Sequence, residues 1–588
     1  MEQLAFQIGN EFLDLLPGTS LELEEENPFL QLGEELLGPY SFPFDVPNTD
    51  KNLRLLKYAS AIATTKVSSI ENVICWENGV QHSLGTLRIE QVNGNINDQL
   101  SGTTSLYYLT GSASFWQSIE KKKLAEVDFG GVRTFLQPNT DNTSGWWLHI
   151  DQAMRGSIDT HDYAFYPVLN PGIRNFGDTF TPLYMNRVQV YSGVIRITPT
   201  GESSNIMNPI YPFPYLIYVI KRIFAYAGWK LEGDWLNDPD AKKMTLLTLK
   251  DIPWGLKLGP FSLRLFPEVS FDMAHYMPDT EIGNFLIQIK NRLGLYYDFN
   301  SRTKVCTIRY ITDTVAGDVE DISSICTAAY NNKMDAKGKS YKMVNSFDSG
   351  DSIPAPSILG ELTFLGEFPN LPPFAPSAAN ENKVVLVLNL NAYFICQEIE
   401  GSPGTFEWAK YMDNIYDYDP GNTTDEINTA ATTTAMEVVD TGQIRGLIPS
   451  IKQAGSYYYY NDLEPSWGIR LLFFHGMQDD YDGQEYPYAS NHPVNCTGEV
   501  IGNYALSFKF KNPVTMAEIG LYDKFWKPFL DRLKQAETIT VSVRYPFSQK
   551  AQVKFGSPKI INHTKFFVKK KSSVVPYDGV LKLELIKV

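Results

Sequence analysis

The chain begins with a long stretch in which apolar and polar residues alternate. In TSLELEEENPFL (19–30), Leu21 and Leu23 alternate with glutamates until Pro28, and the alternation returns in NRVQVYSGVIRITPTGE (186–202). A period of two indicates strands that bury one face, and polar clusters between them indicate turns. We therefore predict β-structure from Thr19 to about Pro199, with turns at NGNIND (93–98) and DFGG (128–131) and one helix around FWQSIEKKKLAEV (115–127).

Near residue 205 the apolar period changes to that of a helix. In PYLIYVIKRIFAYAGWKLEGDW (214–235) the residues at helical spacing are Leu216, Val219, Ile220, Ile223 and Ala227. Pro214 suits the first turn of this helix and Gly228 suits its end. A strand in WKLEGDW is expected to follow at once.

A second helix with the same plan is predicted in PDTEIGNFLIQIKNRLGLYYDF (278–299). Its apolar face comprises Ile282, Phe285, Leu286, Ile289 and Leu293. Asp279 or Thr280 can cap its start and Gly294 can end it. The strand LYYDF then pairs with TKVCTIRYI (303–311) across the turn NSRT. The region from about 206 to 315 is thus predicted to hold two helix-strand units on a small sheet.

The rest of the chain is predicted to be strands, long loops and one more helix. The stretch 350–383 is rich in proline and small residues, which is typical of a linker or surface loop, and the Thr-rich stretch 421–436 is interpreted as an exposed loop. Between them, KVVLVLNLNAYFI (383–395) is expected to be one apolar strand. After residue 500, GLYDKFWKPFLDRLKQA is predicted to be a helix, followed by the strands TITVSVRY, KFFVKKK and VLKLELIKV.

These patterns predict a β-rich α+β protein of several domains, since 588 residues exceed what one hydrophobic core supports. We place an N-terminal β domain at 1–205, a helix-strand connecting domain at 206–320, a β-rich domain with long loops at 321–500 and a helix-plus-strands module at 501–588. The last strand reaches the C-terminus, so we expect the tail to be tied into a sheet.

Composition and charge narrow the classes of function. The formal net charge is −16, which does not favour a general attraction to nucleic acid or anionic lipid. The five cysteines are widely spaced and odd in number, so we interpret them as buried thiols of a protein folded in a reducing compartment. The N-terminus lacks the positive charge of a signal peptide, and no apolar stretch is long enough to span a membrane.

The sequence offers little that could perform catalysis. It contains no GxSxG elbow, HExxH helix, GxGxxG turn or phosphate-binding Gly-Lys-Ser loop of the required spacing. Its 67 acidic residues make chance carboxylate pairs certain, so a glycosidase is left open without support. We predict no catalytic, cofactor-binding or metal-binding residues and no cofactor.

Five clusters could form sites, and each has a simpler interpretation. A metal site could form from His149 and Asp151 on a strand together with Asp159, His161 and Asp162, but neither helical ligand spacing nor cysteines accompany them. Asp413, Asp417, Asp419 and Asp425 depart from the order of a calcium loop and suit a solvated acidic loop.

The other three clusters are one aromatic run and two basic runs. Tyr457–Tyr460 could stack on a sugar, but a strand with aromatic residues on both faces explains them more simply. Lys569–Lys571 suits a solvated sheet edge, and Lys121–Lys123 suits a solvated helix face.

Three separated stretches resemble the tail-tip or baseplate hub proteins of tailed bacteriophages. They are NPFLQLGEELLGPYSFPFDVPNTDKNLRLL (27–56), FDMAHYMPDTEIGNFLIQIKNRLGLYYDF (271–299), and LYDKFWKPFLDRLKQAETITVSVRYP (521–546) with INHTKFFVKKKSSVVPYDGVLKLELIKV (561–588). The resemblance covers the ends and middle of the chain, while about 320–500 is unmatched and could be a host-facing insertion. These stretches are motifs of fold and assembly and not of catalysis.

The resemblance implies a non-enzymatic structural role in the virion. It implies a homotrimeric hub in which each subunit contributes two barrel-like, tail-tube-type domains, so that the ring matches a sixfold tail tube and keeps threefold symmetry for a spike or fibre. The implied partners are the chain itself, the tail tube or distal tail protein, the spike or fibre protein and the tape-measure protein, with DNA only in passing and no stable membrane association. The implied location is the tail tip of a virion assembled in the host cytoplasm.

Two other classes of function stay open at this point. The aromatic residues and long loops also suit a receptor- or carbohydrate-binding tail protein, and an enzyme acting on glycans is the third alternative. The sequence does not distinguish a contractile from a non-contractile tail, nor does it identify the host.

Overall fold

A computed structural model of the chain describes residues 4–27, 30, 40–58, 68–95, 98–119, 121–136, 145–172, 184–191, 194–197, 209–252, 268–315, 319–333, 341–345, 362–390, 392–413, 425–453, 466–533, 537–546, 553 and 555–587. Strands account for 44% of the described residues and helices for 19%. The predicted class, a β-rich α+β protein with several domains, is confirmed. The four domain boundaries stay a prediction.

The largest element is a 14-stranded sheet that contains both ends of the chain. Eleven of its strands follow one another in the spatial order Glu11–Phe12, Leu4–Ile8, Ser69–Glu77, Val80–Asn95, Asp98–Thr110, Tyr40–Ser41, Leu21–Glu26, Thr564–Val575, Leu581–Lys587, Thr538–Val543 and Cys326–Lys333. Two side strands, Phe44–Pro47 and Lys559–Ile561, pair with this path, and a third, Glu320–Asp321, pairs with Lys559–Ile561. The expected anchoring of the C-terminal strand is confirmed, because Leu581–Lys587 has a partner on each side.

The sheet encloses two separate apolar cores. The N-terminal strands surround a core that includes Phe6, Leu23, Val73, Leu87 and Tyr108. The C-terminal strands surround a second core, which includes Val541, Val568, Leu583 and Leu585. The sheet therefore consists of two half-barrels side by side. Of the β-structure predicted for 19–199, the strands up to Thr110 lie in the first half-barrel, whereas those from Val132 to Ile197 lie in other, smaller sheets. The helices Asp50–Leu55 and Trp146–Arg155 in this range were not predicted.

One strand pair joins the half-barrels. Leu21–Glu26 runs antiparallel to Thr564–Val575, with Leu21 opposite Val575 and Glu26 opposite Lys570. Asn27 extends the contact, since its Nδ2 donates to the carbonyl of Val568 at 2.6 Å. We refer to this pairing of the first and last parts of the chain as the closing ladder.

Ion pairs connect the two strands of the closing ladder, and they show that one expectation was wrong. Lys570 Nζ lies 2.5 Å from Glu24 Oε2, and Lys571 Nζ lies 2.6 Å from Glu25 Oε2. Lys569 pairs with Glu584 on the opposite neighbour. The lysine run was expected at a solvated edge, which is wrong: its strand is interior to the sheet, and the acidic run of the N-terminal strand neutralises it.

The two helix-strand units are confirmed. The helices are Leu216–Tyr226 and Ile282–Leu293, and the three-stranded sheet has the order Lys230–Glu232, Val305–Tyr310 and Leu295–Asn300. Both helices end near the predicted glycines, since Gly228 has φ +72° and Gly294 is a left-handed C-cap. The predicted starts are wrong by one or two residues, because Tyr215 and Glu281 occupy the N-cap positions and Pro214 precedes the helix in a short strand. Neither cap side chain accepts a hydrogen bond from the first turn of its helix.

The helix Ile282–Leu293 is covered on both faces, although its sequence is amphipathic. Its apolar face packs in the largest core of the protein, as predicted. Its polar residues Gln288, Asn291 and Arg292 are also buried. Asn291 Nδ2 donates to Asn428 O at 2.9 Å, and an Arg292 guanidinium nitrogen donates to Leu506 O at 2.5 Å while the group lies 4.2 Å from the Phe508 ring.

The segment that covers the polar face is the Thr-rich stretch, which was expected to be an exposed loop. That expectation is wrong for its described part: Asp425–Thr429 is a strand, and Thr432, Thr433 and Thr434 are buried. Thr429 Oγ1 donates to Gln288 O at 3.4 Å, and Thr433 Oγ1 donates to Leu471 O at 2.8 Å. Because a threonine hydroxyl can be satisfied by a backbone carbonyl, a Thr-rich segment does not need water.

Residues 362–413 form a four-stranded sheet with a small core of its own. The strands are Thr363–Phe368, Lys383–Val387, Ala392–Glu398 and Phe406–Asp413. The predicted linker at 350–383 is thus partly wrong, since it contains the first strand, and the predicted single strand at 383–395 is two strands with a 3-10 turn at Leu388–Leu390. Val385, Val387, Ala392 and Phe394 form the core of this sheet.

The remaining strands form small sheets around the largest core. They pair as Tyr163–Ala164 with Phe213–Pro214; Tyr184–Met185, Val168–Leu169, Arg445–Ser450 and Ala435–Asp440; Val188–Tyr191 with Val194–Ile197; Met244–Leu246, Leu471–Asp479 and Glu485–Ser490; Glu268–Asp272 with Val132–Leu136; and Tyr341–Asn345 with Asp425–Thr429. Much of the described part of 425–490 therefore packs in the largest core.

The other α-helices are Asp50–Leu55, Ser112–Ile119, Trp146–Arg155, Ile311–Val315 and Lys527–Leu533, the last of which continues a π-helical turn at Tyr522–Trp526. The helix predicted around 115–127 ends at Ile119, so Lys121–Lys123 lie beyond it, exposed, with Lys123 paired to Asp279 at 2.8 Å.

All five cysteines are free, with Cys75, Cys306 and Cys396 buried and Cys326 and Cys496 half-buried. Among the described residues, no helix is long and apolar enough to cross a membrane.

The two glycine helix ends offer a matched test of packing. A Cβ at Gly294 would lie 3.0 Å from Phe525 Cβ, whereas a Cβ at Gly228 would meet nothing within 4 Å. Both positions have positive φ, which costs an alanine about 1 kcal/mol. We expect Gly228→Ala to lower the thermal unfolding midpoint slightly and Gly294→Ala to lower it clearly more, as measured by differential scanning fluorimetry. Equal shifts would contradict the tight packing at Phe525.

Candidate functional site

The histidine and aspartate cluster that could have formed a metal site is a half-buried aromatic group. His149 lies on the helix Trp146–Arg155 and not on a strand, so the basis for placing it on one face with Asp151 was wrong. His149 Nε2 lies 2.5 Å from Tyr163 Oη, and the His149 and His161 rings are 5.5 Å apart between centroids. Burial, and then the neighbouring His161 and Arg133, lowers the pKa of His149 to about 4.

The aspartates of this cluster are paired with basic side chains. Asp162 contacts Arg133 at 2.5 Å, Asp151 contacts Arg155 at 3.3 Å, and Asp159 contacts Lys242 at 3.3 Å. The described residues contain no group of three or more His, Cys, Asp or Glu side chains that could hold a metal ion. The group is therefore best explained as packing and ion pairing around Tyr163.

The acidic and tyrosine clusters lie largely outside the described residues. Asp413 ends the strand Phe406–Asp413, and Asp425 begins the strand Asp425–Thr429. Asp417, Asp419 and Tyr457–Tyr460 are outside the described residues.

One concave feature of the described residues is a cleft where three parts of the chain meet. Its volume is about 550 Å³, within the range of small-molecule sites. One wall is the end of the hairpin Ser69–Glu77 and Val80–Asn95, the second is the polar face of Leu295–Asn300 and Val305–Tyr310, and the third comes from the closing ladder. We name it the junction cleft.

Charged side chains of both signs line the junction cleft. The acidic ones are Glu25, Glu26, Glu77 and Asp298, and the basic ones are Lys571, Arg302 and Arg309. The Glu77 side chain is fully buried, with Oε1 accepting from the Tyr577 N–H at 2.5 Å and Oε2 lying 3.9 Å from His82 Nε2. Glu25 is held by Lys571, so these carboxylates are not the isolated pair that glycoside hydrolysis requires.

Three neighbours in the cleft resemble the order of a hydrolytic triad without its geometry. His82 Nδ1 lies 3.1 Å from Ser83 Oγ, and His82 Nε2 faces Glu77. The distance of 3.9 Å to Glu77 exceeds a hydrogen bond, and Ser83 is only 3% exposed with its Oγ 3.0 Å from Tyr108 Oη. This hydroxyl is therefore a structural group and not an accessible nucleophile.

This cleft was not predicted from the sequence, because its walls come from positions near 25, 80, 300 and 571. A weak signal did exist in the hairpin Leu295–Tyr310. Its residues Tyr296, Asp298, Thr307 and Arg309 share one face of the strands. A polar face on a hairpin whose other face is apolar indicates exposure, and it did not reveal what would face it.

Two histidines near the largest core, the half-buried His475 and the fully buried His492, were not singled out by sequence reasoning. His475 Nε2 lies 3.0 Å from Ser490 Oγ, while His492 is fully buried and stacks on Phe510 with its Nδ1 accepting from the Val494 N–H at 3.3 Å. Burial lowers the pKa of His492 to about 4. Burial first, and then Lys243 and His492, also hold the pKa of His475 well below its usual range.

Comparison with known proteins finds structural neighbours but no sequence relatives. No family model matches, and no curated protein matches. The prophage MuSo2 43 kDa tail protein from Shewanella oneidensis is similar over 100% of this chain and 96% of its own, at 7% identity and a TM-score of 0.30. The prophage tail protein gp18 from Listeria monocytogenes EGD-e is similar over 99% of this chain and 94% of its own, at 7% identity and a TM-score of 0.28. Both are tail proteins, but these scores are too low to establish a common fold.

The lowered pKa of the buried His492 predicts that the folded chain loses stability in acid. The unfolded chain binds a proton at His492 below about pH 6.5, whereas the folded chain does so only near pH 4, so stability is full above pH 6.5 and falls as the pH drops towards 4. Between pH 7.5 and 5 we expect His492 to account for about 2 kcal/mol of lost unfolding free energy.

Urea unfolding of the parent and of His492→Asn at the two pH values measures this loss. The asparagine cannot titrate and can accept from the Val494 N–H, so it should lose less stability in acid than the parent. The control is His563→Asn, at an exposed position with positive φ that asparagine tolerates. A parent and His492→Asn with the same pH dependence would contradict the assignment.

Proposed function

We propose that this chain is a non-enzymatic structural component of a bacteriophage tail, the hub of its tail tip or baseplate. Three copies would form a ring that adapts a sixfold tail tube to a threefold spike or fibre. The ring would also line the channel through which the tape-measure protein and the DNA pass. Its partners would be other copies of itself, the tube or distal tail protein, the spike or fibre protein and the tape-measure protein, within a virion assembled in the host cytoplasm.

The observation that carries this proposal is the pair of half-barrels in one sheet. Each has its own apolar core, and the closing ladder fixes one beside the other. A chain with two such units supplies six of them from three copies, which is the arithmetic that a threefold adapter beneath a sixfold tube requires. The resemblance of the chain ends to hub proteins involves the same two parts of the sequence.

The ends of the large sheet support closure between copies. Among the described strands, Glu11–Phe12 lies at one end and Cys326–Lys333 at the other. A strand at the end of a sheet presents backbone groups that can pair with another chain. When the same contact repeats head to tail through a rotation that closes, it generates a ring.

The oligomeric state is the first test. We expect light scattering of the purified chain at rising concentration to show a species of three times 66.4 kDa, and negative-stain images of it to show a central opening. A species that stays at 66.4 kDa, both alone and with the tube protein present, would contradict the trimeric hub.

The second test concerns the charge of the channel. With a net charge of −16, the chain can present an acidic wall along which DNA slides without binding. We expect electron cryomicroscopy of the assembled ring to show more acidic than basic side chains on the channel wall. A wall dominated by lysine and arginine would contradict the role in DNA passage while leaving the trimer itself untouched.

A further inference from the structure

We propose that the junction cleft binds a neutral, polyhydroxylated ligand of the size of one or two sugar rings. This goes beyond the hub function, because the cleft is built within a single copy of the chain. Its volume of about 550 Å³ suits such a ligand. The chemistry of the lining then determines which class of ligand it accepts.

The charge pattern disfavours ligands of a single sign. Acidic and basic side chains line the same cleft. A strongly anionic ligand would meet Glu26 and Asp298, and a strongly cationic one would meet Arg302 and Arg309, so either would place like charges close together. A neutral ligand avoids this cost.

The hydrogen-bonding groups favour hydroxyls. A sugar hydroxyl donates to carboxylates and accepts from guanidinium groups, so one ligand can satisfy both kinds of side chain at once. Hydroxyl-bearing residues add groups that both donate and accept, among them Thr110, Ser301, Thr307 and Ser573. Phe555 adds an aromatic ring, which suits the C–H face of a sugar ring.

The lining is held in place by contacts outside the cleft. The Glu77 carboxylate is fixed by the Tyr577 N–H, and Lys571 by Glu25 and by the Phe555 ring at 4.9 Å. Phe299 packs on Phe115 with the ring centroids 4.9 Å apart. Lys304 Nζ donates to Asn72 Oδ1 at 2.9 Å and links two walls. A preformed cleft loses less entropy on binding than a mobile one.

Saturation-transfer NMR on the full chain tests the proposal. The probes are D-glucose, D-galactose, N-acetyl-D-glucosamine and lactose, with inorganic phosphate and lysine amide as charged comparators. We expect at least one sugar to bind and neither charged comparator to do so. Arg309→Ala, at an exposed position on the cleft wall, should weaken the Kd for that sugar about tenfold, as expected for a lost charged hydrogen bond.

Two further variants make the outcome specific. Asp298→Asn keeps the shape of the side chain and should also weaken sugar binding, whereas Arg445→Ala, an exposed arginine outside the cleft, should leave the Kd unchanged. Thermal unfolding checks that each variant is folded. Sugar binding that is equal in Arg309→Ala and Arg445→Ala would overturn the proposal, as would a panel in which no sugar binds or only phosphate or lysine amide does. The oligomeric state of the chain does not affect these results.

Discussion

The closing ladder is the contact on which the architecture depends. It makes one sheet of two half-barrels, and it places Glu25, Glu26, Lys571 and Ser573 at one wall of the junction cleft. Its backbone hydrogen bonds are supplemented by two partly buried lysine-glutamate pairs. Cross-strand pairs of opposite charge contribute modestly to stability, but they also specify register, because a shift of one residue would move each lysine to the other face.

The second organising element is the helix Ile282–Leu293, which is covered on both faces. Its apolar face fills the largest core, and its polar residues satisfy backbone groups of segments far away in sequence. Buried polar groups demand partners in defined directions, which apolar contacts do not. The helix therefore fixes the position of the strand Asp425–Thr429 and of the chain near Leu506 relative to the small sheet, and it provides rigid geometry without any reactive group.

The pattern of apolar and polar residues predicted much of this fold. The errors that concern polar segments share one cause. The alternation in Leu21–Glu26 and the helical spacing from Ile282 to Leu293 depend on neighbours in sequence, and both elements were identified correctly. The lysine run and the Thr-rich segment were assigned to solvent because polar residues usually face it, and the sequence did not show that the polar side of the helix would be covered. Each is instead covered by a polar partner from another part of the chain, and single-sequence patterns contain no information on such pairing. The cleft was missed for the same reason.

The closing ladder also has a consequence for how the chain is made. Asn27 and its partner Val568 are 541 positions apart, so the strand Leu21–Glu26 leaves the ribosome long before its neighbour exists. Throughout synthesis this strand exposes an unpaired edge, the kind of surface on which nascent chains aggregate. Its three consecutive glutamates repel other copies of the same strand on a polysome. The glutamates that later pair across the closing ladder thus disfavour association of the first half-barrel with other nascent chains until translation ends.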